Sequence, residues 1–328
     1  MVNYPWLAKY VEQIGEEIRC EYHAHAYLLH GRTGVGKTYL ASNLARIAVC
    51  ESIADNPFGC GRCRSCTLND EENHPDIKYL QVEGGASQIT VEQSRDLIEF
   101  YTLKSHYGLR RVGLILNADR LNRNAANALL KIVEEPPANA IIFLTASKIA
   151  YIPLTLRSRC RKVFVASPDR SSEKRWLDER RKQDSDVRNP DNHTLQGGPL
   201  DKLRFLKSEE TSPLDMFSAS LHDIFKGDKS IVHISEDYSG IDPTLFLDCC
   251  ESVLMILTTL KFESLPLNLD VPEKRMIGLV KISNLMETAK IFSIHDTISE
   301  SRKLLARSTG IKTTDIVEEI FFSFAPTD

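Results

Sequence analysis

Short apolar runs alternate with segments of helical periodicity along the first half of the chain. Four of the runs predict buried strands, at residues 26–30, 77–82, 112–116 and 140–145. The segments between them place apolar residues on one face and predict helices at 37–50, 91–103 and 125–135. The last helix must stop at Pro136, which cannot continue it. Strands and helices that alternate in this way are typical of βαβ units around a parallel sheet. We therefore predict an α/β module over residues 1–166.

The pattern changes after residue 166. Residues 167–192 are highly charged and keep few apolar anchors, such as Trp176, which favours a small helical domain. The Gly197-Gly198-Pro199 segment interrupts the chain again. From about residue 205 the apolar spacing is mostly helical, with helices predicted at 246–260, 274–291 and 314–324. These features predict three domains, at residues 1–166, 167–204 and 205–328.

Bulk composition narrows the functional classes without selecting one. The chain has 328 residues, 42% of them hydrophobic and 26% charged, which is enough for roughly two or three domains. Its net charge of −4 requires that any contact with DNA come from a local basic patch. We expect no signal peptide, because residues 1–12 show no basic segment followed by an apolar run, and no membrane span, because no apolar run approaches about 20 residues. Four of the eight cysteines cluster, which favours a reducing cytoplasm over a disulfide framework.

Residues 31–38 match the pattern of a phosphate-binding loop. Glycines in this pattern let backbone N–H groups turn toward phosphates, and the helix that follows offers its positive end. The lysine reaches the β- and γ-phosphates and the threonine ligates magnesium. The pattern predicts a nucleotide site at Gly31, Gly34, Val35, Gly36, Lys37 and Thr38. The alternative is a glycine-rich turn with a solvated lysine.

The strand that should supply the magnesium-binding acid does not carry one. The run at 112–116 ends in Leu116, which cannot ligate a metal, and continues with Asn117, which is uncharged. Asp119 would compensate only if the chain bends there; the alternative is that it caps a turn or the next helix. Hydrolysis needs a carboxylate on this neighbouring strand. We therefore expect weak or absent ATPase activity.

Four cysteines lie within 17 residues, three of them in a C-x2-C-x2-C run. Four thiolates suit tetrahedral zinc, and a fully occupied shell makes the metal structural. The predicted ligands are Cys50, Cys60, Cys63 and Cys66, with Arg62 and Arg64 offsetting their negative charge. An iron–sulfur cluster and unliganded buried thiols are the alternatives.

Four basic residues occupy the short segment 157–162. A run of this kind is usually a solvated face. The sharper hypothesis is an arginine finger, a guanidinium offered to the γ-phosphate of a neighbouring subunit's nucleotide. Arginine suits that role because its planar fork binds phosphate bidentately and stays charged.

Several sequence blocks together resemble the clamp-loader branch of the AAA+ family, over most of the chain. The most specific are the NALLK block at 127–131 and the EEPP block at 134–137. Others are the phosphate loop, the four cysteines, YPWL at 4–7, HPD at 74–76, ITVEQ at 89–93 and LRSRC at 156–160.

This resemblance implies a RecA-like AAA+ module with a zinc-binding insertion, a small helical lid and an all-α collar domain. It implies a heteropentameric loader of bacterial DNA polymerase III, formed with tau/gamma motor subunits and a delta subunit, that opens a ring-shaped sliding clamp on primed DNA. The chain would be its rigid stator, with Arg159 as the finger acting in trans. Thr145 matches the polar sensor position or caps its strand, and Arg204 is a weak match to the second-sensor arginine.

Three functional hypotheses follow. The first is a non-hydrolysing assembly subunit, without polymerase or ATPase activity of its own, in which ATP binding is left open because the phosphate loop is intact. The second is an ATP-hydrolysing motor of the same family; motors carry an Asp-Glu pair where Leu116 and Asn117 stand. The third is a DNA-binding module, which the acidic net charge disfavours.

Overall fold

The computed structural model separates into two units. It describes residues 4–52, 59–71, 73–83, 86, 88–107, 110–183, 198–207, 213–241, 243–262, 273–307 and 311–325. The N-terminal unit comprises Met1–Glu173 and Gly197–Asp201, and the C-terminal unit comprises Lys174–Gln196 and Lys202–Asp328. The predicted division into three domains stays a prediction, and residues 184–197 of the proposed lid lie outside the described ranges.

A parallel sheet forms the centre of the N-terminal unit, as the sequence predicts. Within the described residues it has five strands in the order β2-β3-β4-β1-β5, every neighbouring pair parallel. The strands are β1 (Ala26–His30), β2 (Ile77–Leu80), β3 (Arg111–Ile115), β4 (Ala140–Ala146) and β5 (Arg161–Phe164). Strand β5 is absent from the prediction, because it lies at the sheet edge, is largely exposed and has no continuous apolar run.

Helices cover both faces of this sheet. In chain order they are α1 (Ala8–Arg19), α2 (Lys37–Val49), α3 (Arg64–Asp70), α4 (Val91–Thr102), α5 (Arg123–Glu134) and α6 (Leu154–Arg157). Successive residues of β1 point to opposite faces. Tyr27 and Leu29 pack in the core cluster that contains α1 and α2, whereas Leu28 packs in the cluster that contains α4 and α5. The sheet is therefore buried on both sides.

The C-terminal unit is helical. Helices α7 (Arg170–Gln183) and α8 (Pro199–Lys207) carry the chain across the unit boundary. The rest are α9 (Pro213–Lys226), α10 (Ile231–Asp237), α11 (Pro243–Phe262), α12 (Glu273–Leu285), α13 (Thr288–Arg307) and α14 (Thr313–Phe324). Their core is rich in buried aromatic rings: Phe217, Tyr238, Phe246, Phe321 and Phe324. No helix among the described residues is long and apolar enough to cross a membrane.

The single helix predicted at 274–291 is wrong. Helix α12 ends at Leu285 and α13 begins at Thr288. The apolar spacing continues across the break, because Met286 and Ile291 pack in the same core. Periodicity alone therefore gives no sign of the turn.

A buried carboxylate fixes the loop that enters β3. Asp76 is 1% exposed and accepts hydrogen bonds from the backbone N–H groups of His106 (2.8 Å) and Tyr107 (3.1 Å) and from the Ser105 hydroxyl (3.2 Å). Its Oδ1 also lies 3.7 Å from Nη2 of Arg111, the first residue of β3. Asp76 itself precedes β2, so its carboxylate ties the amino ends of two adjacent strands together.

We predict that Asp76→Asn lowers the free energy of unfolding by about 2–4 kcal/mol, because an amide group faces donors that need an acceptor and Arg111 loses its counter-charge. Asp96→Asn, at an exposed position of α4, serves as the control and changes stability by less than about 0.5 kcal/mol. Urea unfolding followed by circular dichroism measures both. Equal stability of the two variants would contradict the role given to Asp76.

Candidate functional site

The phosphate loop begins directly where β1 ends. The N–H of Gly31 donates to the carbonyl of Ala146, at the end of β4 (3.2 Å), and a Cβ at this position would collide with the carbonyl of Val165. Gly34 (φ 66°) and Gly36 (φ 97°) adopt left-handed conformations that favour glycine. The glycines that the sequence pattern singles out are therefore required by the backbone path of the loop.

The amino group of Lys37 is turned into the loop. The residue is 6% exposed, and its Nζ donates to the carbonyls of Gly31 (2.9 Å) and Arg32 (2.7 Å) and to the Ser147 hydroxyl (3.1 Å). This burial does not fit the alternative of a solvated lysine. Burial lowers the pKa of Lys37 to about 8, against the attraction of two carboxylates, Asp119 and Asp201.

The loop also offers free backbone donors. Within the described residues, the N–H groups of Gly34, Gly36 and Thr38 have no hydrogen-bond partner, and the Thr38 side chain is exposed. The outer side of the loop is held by Trp6, whose indole N–H donates to the Val35 carbonyl (2.9 Å). A buried ammonium group beside unpaired N–H groups and a helix N-terminus suits a phosphate chain. The residues present therefore fit a nucleotide.

The end of β3 provides no carboxylate for a metal. Leu116 is buried and its N–H donates to the Leu80 carbonyl (2.8 Å). Asn117 takes a left-handed conformation (φ 58°), and its N–H donates to the Thr145 hydroxyl (2.9 Å). Thr145, in β4, thus caps the turn that follows β3, which is neither the sensor role nor the capping of its own strand that the sequence suggests.

The chain does bend after Asn117, and the bend brings Asp119 to the end of β4. Its Oδ2 accepts from the backbone N–H groups of Ser147 (3.2 Å) and Lys148 (2.9 Å), which is a turn-capping arrangement. Its Oδ1 is buried without a hydrogen-bond partner in the part of the chain that the structure describes. The carboxylate acts electrostatically on Lys37. Asp119 therefore belongs to the surroundings of the phosphate loop.

Two residues near the loop are missed by sequence reasoning, Ser147 and Asp201. Ser147 contacts Lys37, two positions beyond the threonine that the resemblance singles out. Asp201 approaches because the N–H groups of Gly198 and Leu200 donate to the carbonyls of Thr33 (2.8 Å) and Gly34 (2.9 Å). No local pattern could reveal this contact, which joins distant parts of the sequence. The side chain of Arg204, the weak second-sensor match, lies outside the described residues.

The four clustered cysteines come together as the sequence predicts. The Sγ atoms of Cys50, Cys60, Cys63 and Cys66 all lie within 4.8 Å of one another, and those of Cys60 and Cys66 are 4.0 Å apart. Tetrahedral zinc with bonds of about 2.3 Å places its sulfurs about 3.8 Å apart. Backbone N–H groups already point at three of the sulfurs, with 3.3–3.4 Å between nitrogen and sulfur. The residues present therefore fit a tetrahedral metal ion.

Local structure explains how the cluster is formed. Cys50 follows the last residue of α2, and Cys63 caps α3. Burial raises the pKa of the Cys50 thiol to about 12, whereas the backbone N–H of Arg62 lowers that of Cys60 to about 6. The charged side chain that contacts the cluster is Arg46, which hydrogen-bonds Cys66, while Arg64 lies over the Tyr107 ring. The positive charge of Arg64 therefore offsets the negative charge of the cysteine thiolates less directly than the sequence suggests.

Arg159 follows the one-turn helix α6. Its Nη2 lies 2.6 Å from Glu134 Oε1, at the end of α5, and its Nη1 donates to the Thr155 carbonyl (2.8 Å). The side chain remains 39% exposed. Arg161 is also paired with a carboxylate, Glu17, is 39% exposed as well, and lies over the Tyr27 ring. Arg159 is thus oriented by a carboxylate and still reaches solvent, as contact with another molecule requires, and Arg161 shares both properties.

Comparison with known proteins points to one family. A family model described as "DNA polymerase III, delta subunit" matches residues 6–169, half of the chain. DNA polymerase III subunit delta′ of Pseudomonas aeruginosa is 36% identical over 174 residues, which cover 53% of this chain and 52% of that protein. Subunit tau of Salmonella typhimurium is 36% identical over 146 residues, 44% of this chain and 22% of that protein. The match spans about half the length of the delta′ relative.

Solved structures resemble the chain only broadly. The crystal structure of a DNA polymerase III gamma subunit-related protein from Thermotoga maritima covers 96% of this chain and 98% of its own. It is 15% identical, with a TM-score of 0.43.

The buried lysine predicts a specific pH dependence of stability. The folded state releases the Lys37 proton near pH 8, whereas the unfolded chain keeps it to about 10.4, so stability rises with pH in this window. We expect the stability of wild type relative to Lys37→Met to increase by about 2 kcal/mol between pH 7 and pH 10, in phosphate-free buffer. The control is Lys78→Met, which removes an exposed lysine of β2. The difference in stability between wild type and this variant stays constant between pH 7 and pH 10. A difference in stability between wild type and Lys37→Met that does not change with pH would contradict the burial of the Lys37 amino group.

The cysteine cluster predicts one zinc ion per chain in the purified protein. Cys63→Ser should release it and lower the free energy of unfolding of the N-terminal unit by roughly 4 kcal/mol or more, because metal binding stabilises only the folded site. Cys20→Ser, at an exposed cysteine outside the cluster, keeps both zinc and stability. Elemental analysis together with urea unfolding checks this. Metal-free wild-type protein, or iron in place of zinc, would refute the assignment.

Proposed function

The chain belongs to the DNA polymerase III delta-subunit family, and we propose that it is a delta-prime-type stator of the bacterial clamp loader. In this role it does not hydrolyse ATP itself. It helps to open the sliding clamp and load it on primed DNA, within a pentamer that also contains tau/gamma motor subunits and a delta subunit. It supplies Arg159 in trans to the ATP of a neighbouring motor.

The observation that carries this proposal is a phosphate loop without a catalytic acid. Lys37 and the free N–H groups of the loop suit phosphates, but β3, which β4 separates from β1, ends at Ile115 and is followed by Leu116 and Asn117. Hydrolysis requires a carboxylate that holds magnesium and a group that orients water. Bound nucleotide would be held by Gly34, Gly36, Lys37 and Thr38, with a structural role only.

The surroundings of Arg159 support a role toward another subunit. Its guanidinium is held by Glu134 and the carbonyl of Thr155, which limits the entropy that it would lose on binding phosphate. The same short helix exposes Leu154, 67% accessible, and Tyr151 just before it is 50% accessible. Exposed apolar groups beside an accessible arginine are typical of protein contact surfaces.

The C-terminal unit supports the proposed collar in a similar way. Its core is fully formed by its own helices, yet several large apolar side chains face solvent. These are Met255, Phe262, Leu285, Phe292 and Phe322, between 49% and 72% exposed. Similarity to the tau relative is compatible with a ring of related subunits. We propose that these helices assemble with those of neighbouring subunits, and that zinc serves only to hold the cysteine cluster.

A second candidate function is an ATP-hydrolysing motor, and the position of Asp119 favours it. Its Oδ1 is buried without a hydrogen-bond partner among the described residues and lies in the surroundings of Lys37, so it is available to a magnesium ion. Against this role, Oδ2 is already engaged by two backbone N–H groups.

We expect Arg159→Ala to depress the DNA-dependent ATPase of a reconstituted loader. Arginine fingers contribute on the order of 10³–10⁵ in rate at the site they complete, and the total falls less because the ring has several sites. Folding, zinc content and assembly should be unchanged, since the side chain is partly exposed. Lys162→Ala, which removes an exposed charge three residues away, is the control and keeps full activity. Unchanged ATPase in the assembled Arg159→Ala complex would refute the proposal.

A further inference from the structure

An acidic side chain stands at the phosphate loop. The N–H groups of Gly198 and Leu200 donate to the carbonyls of Thr33 and Gly34, which brings the start of α8 over the loop. A Cβ on Gly34 would lie 2.8 Å from Oδ1 of Asp201 and closer still to Oδ2. The carboxylate therefore lies in direct contact with the glycine backbone that phosphates would approach.

The electrostatics of the loop account for this position. Lys37 is the buried cation of the loop, and two carboxylates attract its charge, Asp119 and Asp201. Asp119 is engaged by the N–H groups of Ser147 and Lys148. The Asp201 carboxylate has no hydrogen-bond partner in the described part of the chain. The backbone hydrogen bonds of Gly198 and Leu200 thus bring Asp201 to the loop, and attraction between its carboxylate and Lys37 favours this position.

The same position is unfavourable for a phosphate chain. A nucleoside di- or triphosphate brings several negative charges to Lys37 and to the N–H groups of Gly34, Gly36 and Thr38. Like charges at contact distance repel, and in a partly buried site water screens them weakly. The carboxylate and the phosphates also compete for space at Gly34, where no Cβ could be accommodated.

We propose that the Asp201 carboxylate lies in the phosphate loop when no nucleotide is bound. A nucleoside di- or triphosphate must displace this carboxylate in order to bind. Asp201 then sets the nucleotide affinity of this chain and keeps it low. This inference rests on the proposed nucleotide site at residues 31–38, and it is independent of the role proposed for Arg159.

The test is the affinity of the full-length, zinc-loaded protein for MgADP, measured by isothermal titration calorimetry. ADP is used so that hydrolysis does not contribute. Asp201→Asn keeps the shape of the side chain and removes its charge, and we expect it to bind about tenfold more tightly than wild type, or ~1.4 kcal/mol. Glu12→Gln, an exposed acid on α1, removes the same charge from the N-terminal unit and should leave the affinity unchanged. Lys37→Ala in the Asp201→Asn background should abolish binding.

Three results would overturn the inference. They are equal affinity of Asp201→Asn and wild type, equal tightening by Glu12→Gln, and failure of folded Asp201→Asn protein to bind MgADP at all. None of them affects the stator proposal, because the effect of Arg159→Ala is measured on the ATP of the neighbouring motor. Conversely, if Arg159→Ala did not change the ATPase activity of the reconstituted loader, the effect of Asp201→Asn on MgADP affinity would keep its meaning.

Discussion

The parallel pairing of β1 between β4 and β5 is the constraint on which the candidate site depends. Parallel strands present their carboxyl ends at one edge of a sheet, where ligands of open α/β sheets bind. The pairing places Gly31 against Ala146, and the Val165 N–H on the His30 carbonyl. The phosphate loop, the turn after β3 and the turn after β4 must therefore meet at this edge.

The Lys37 side chain connects the phosphate loop to the end of β4, and this contact is structural. Its three hydrogen bonds link both sides of the loop to Ser147, at the end of β4. The lysine therefore stabilises the loop whether or not a nucleotide is bound. Because these contacts do not depend on ATP hydrolysis, an intact phosphate loop is compatible with the missing acid at Leu116. The same reasoning accounts for Asp201, since a buried cation attracts an anion from its own chain.

How much the sequence predicts depends on the range of the interactions. Continuous apolar runs predict β1 to β4 within one or two residues at each end, because burial on both faces leaves a strong signal. Strand β5 leaves none, since three of its four residues are exposed and two of them are charged. The proximity of the four cysteines is predicted correctly because they are close in sequence. Ser147, Asp201 and the contact of Arg46 with Cys66 arise only from tertiary packing, which no local periodicity encodes.

As the proposed stator, this chain contributes to ATP hydrolysis on another subunit and not at its own loop. Steady-state ATP hydrolysis by the isolated, zinc-loaded protein tests this role most directly, in parallel with Lys37→Ala. We expect no turnover by wild type above the level of Lys37→Ala, with magnesium and primed DNA present. Robust turnover by wild type that disappears in Lys37→Ala would contradict it and would make the chain a motor.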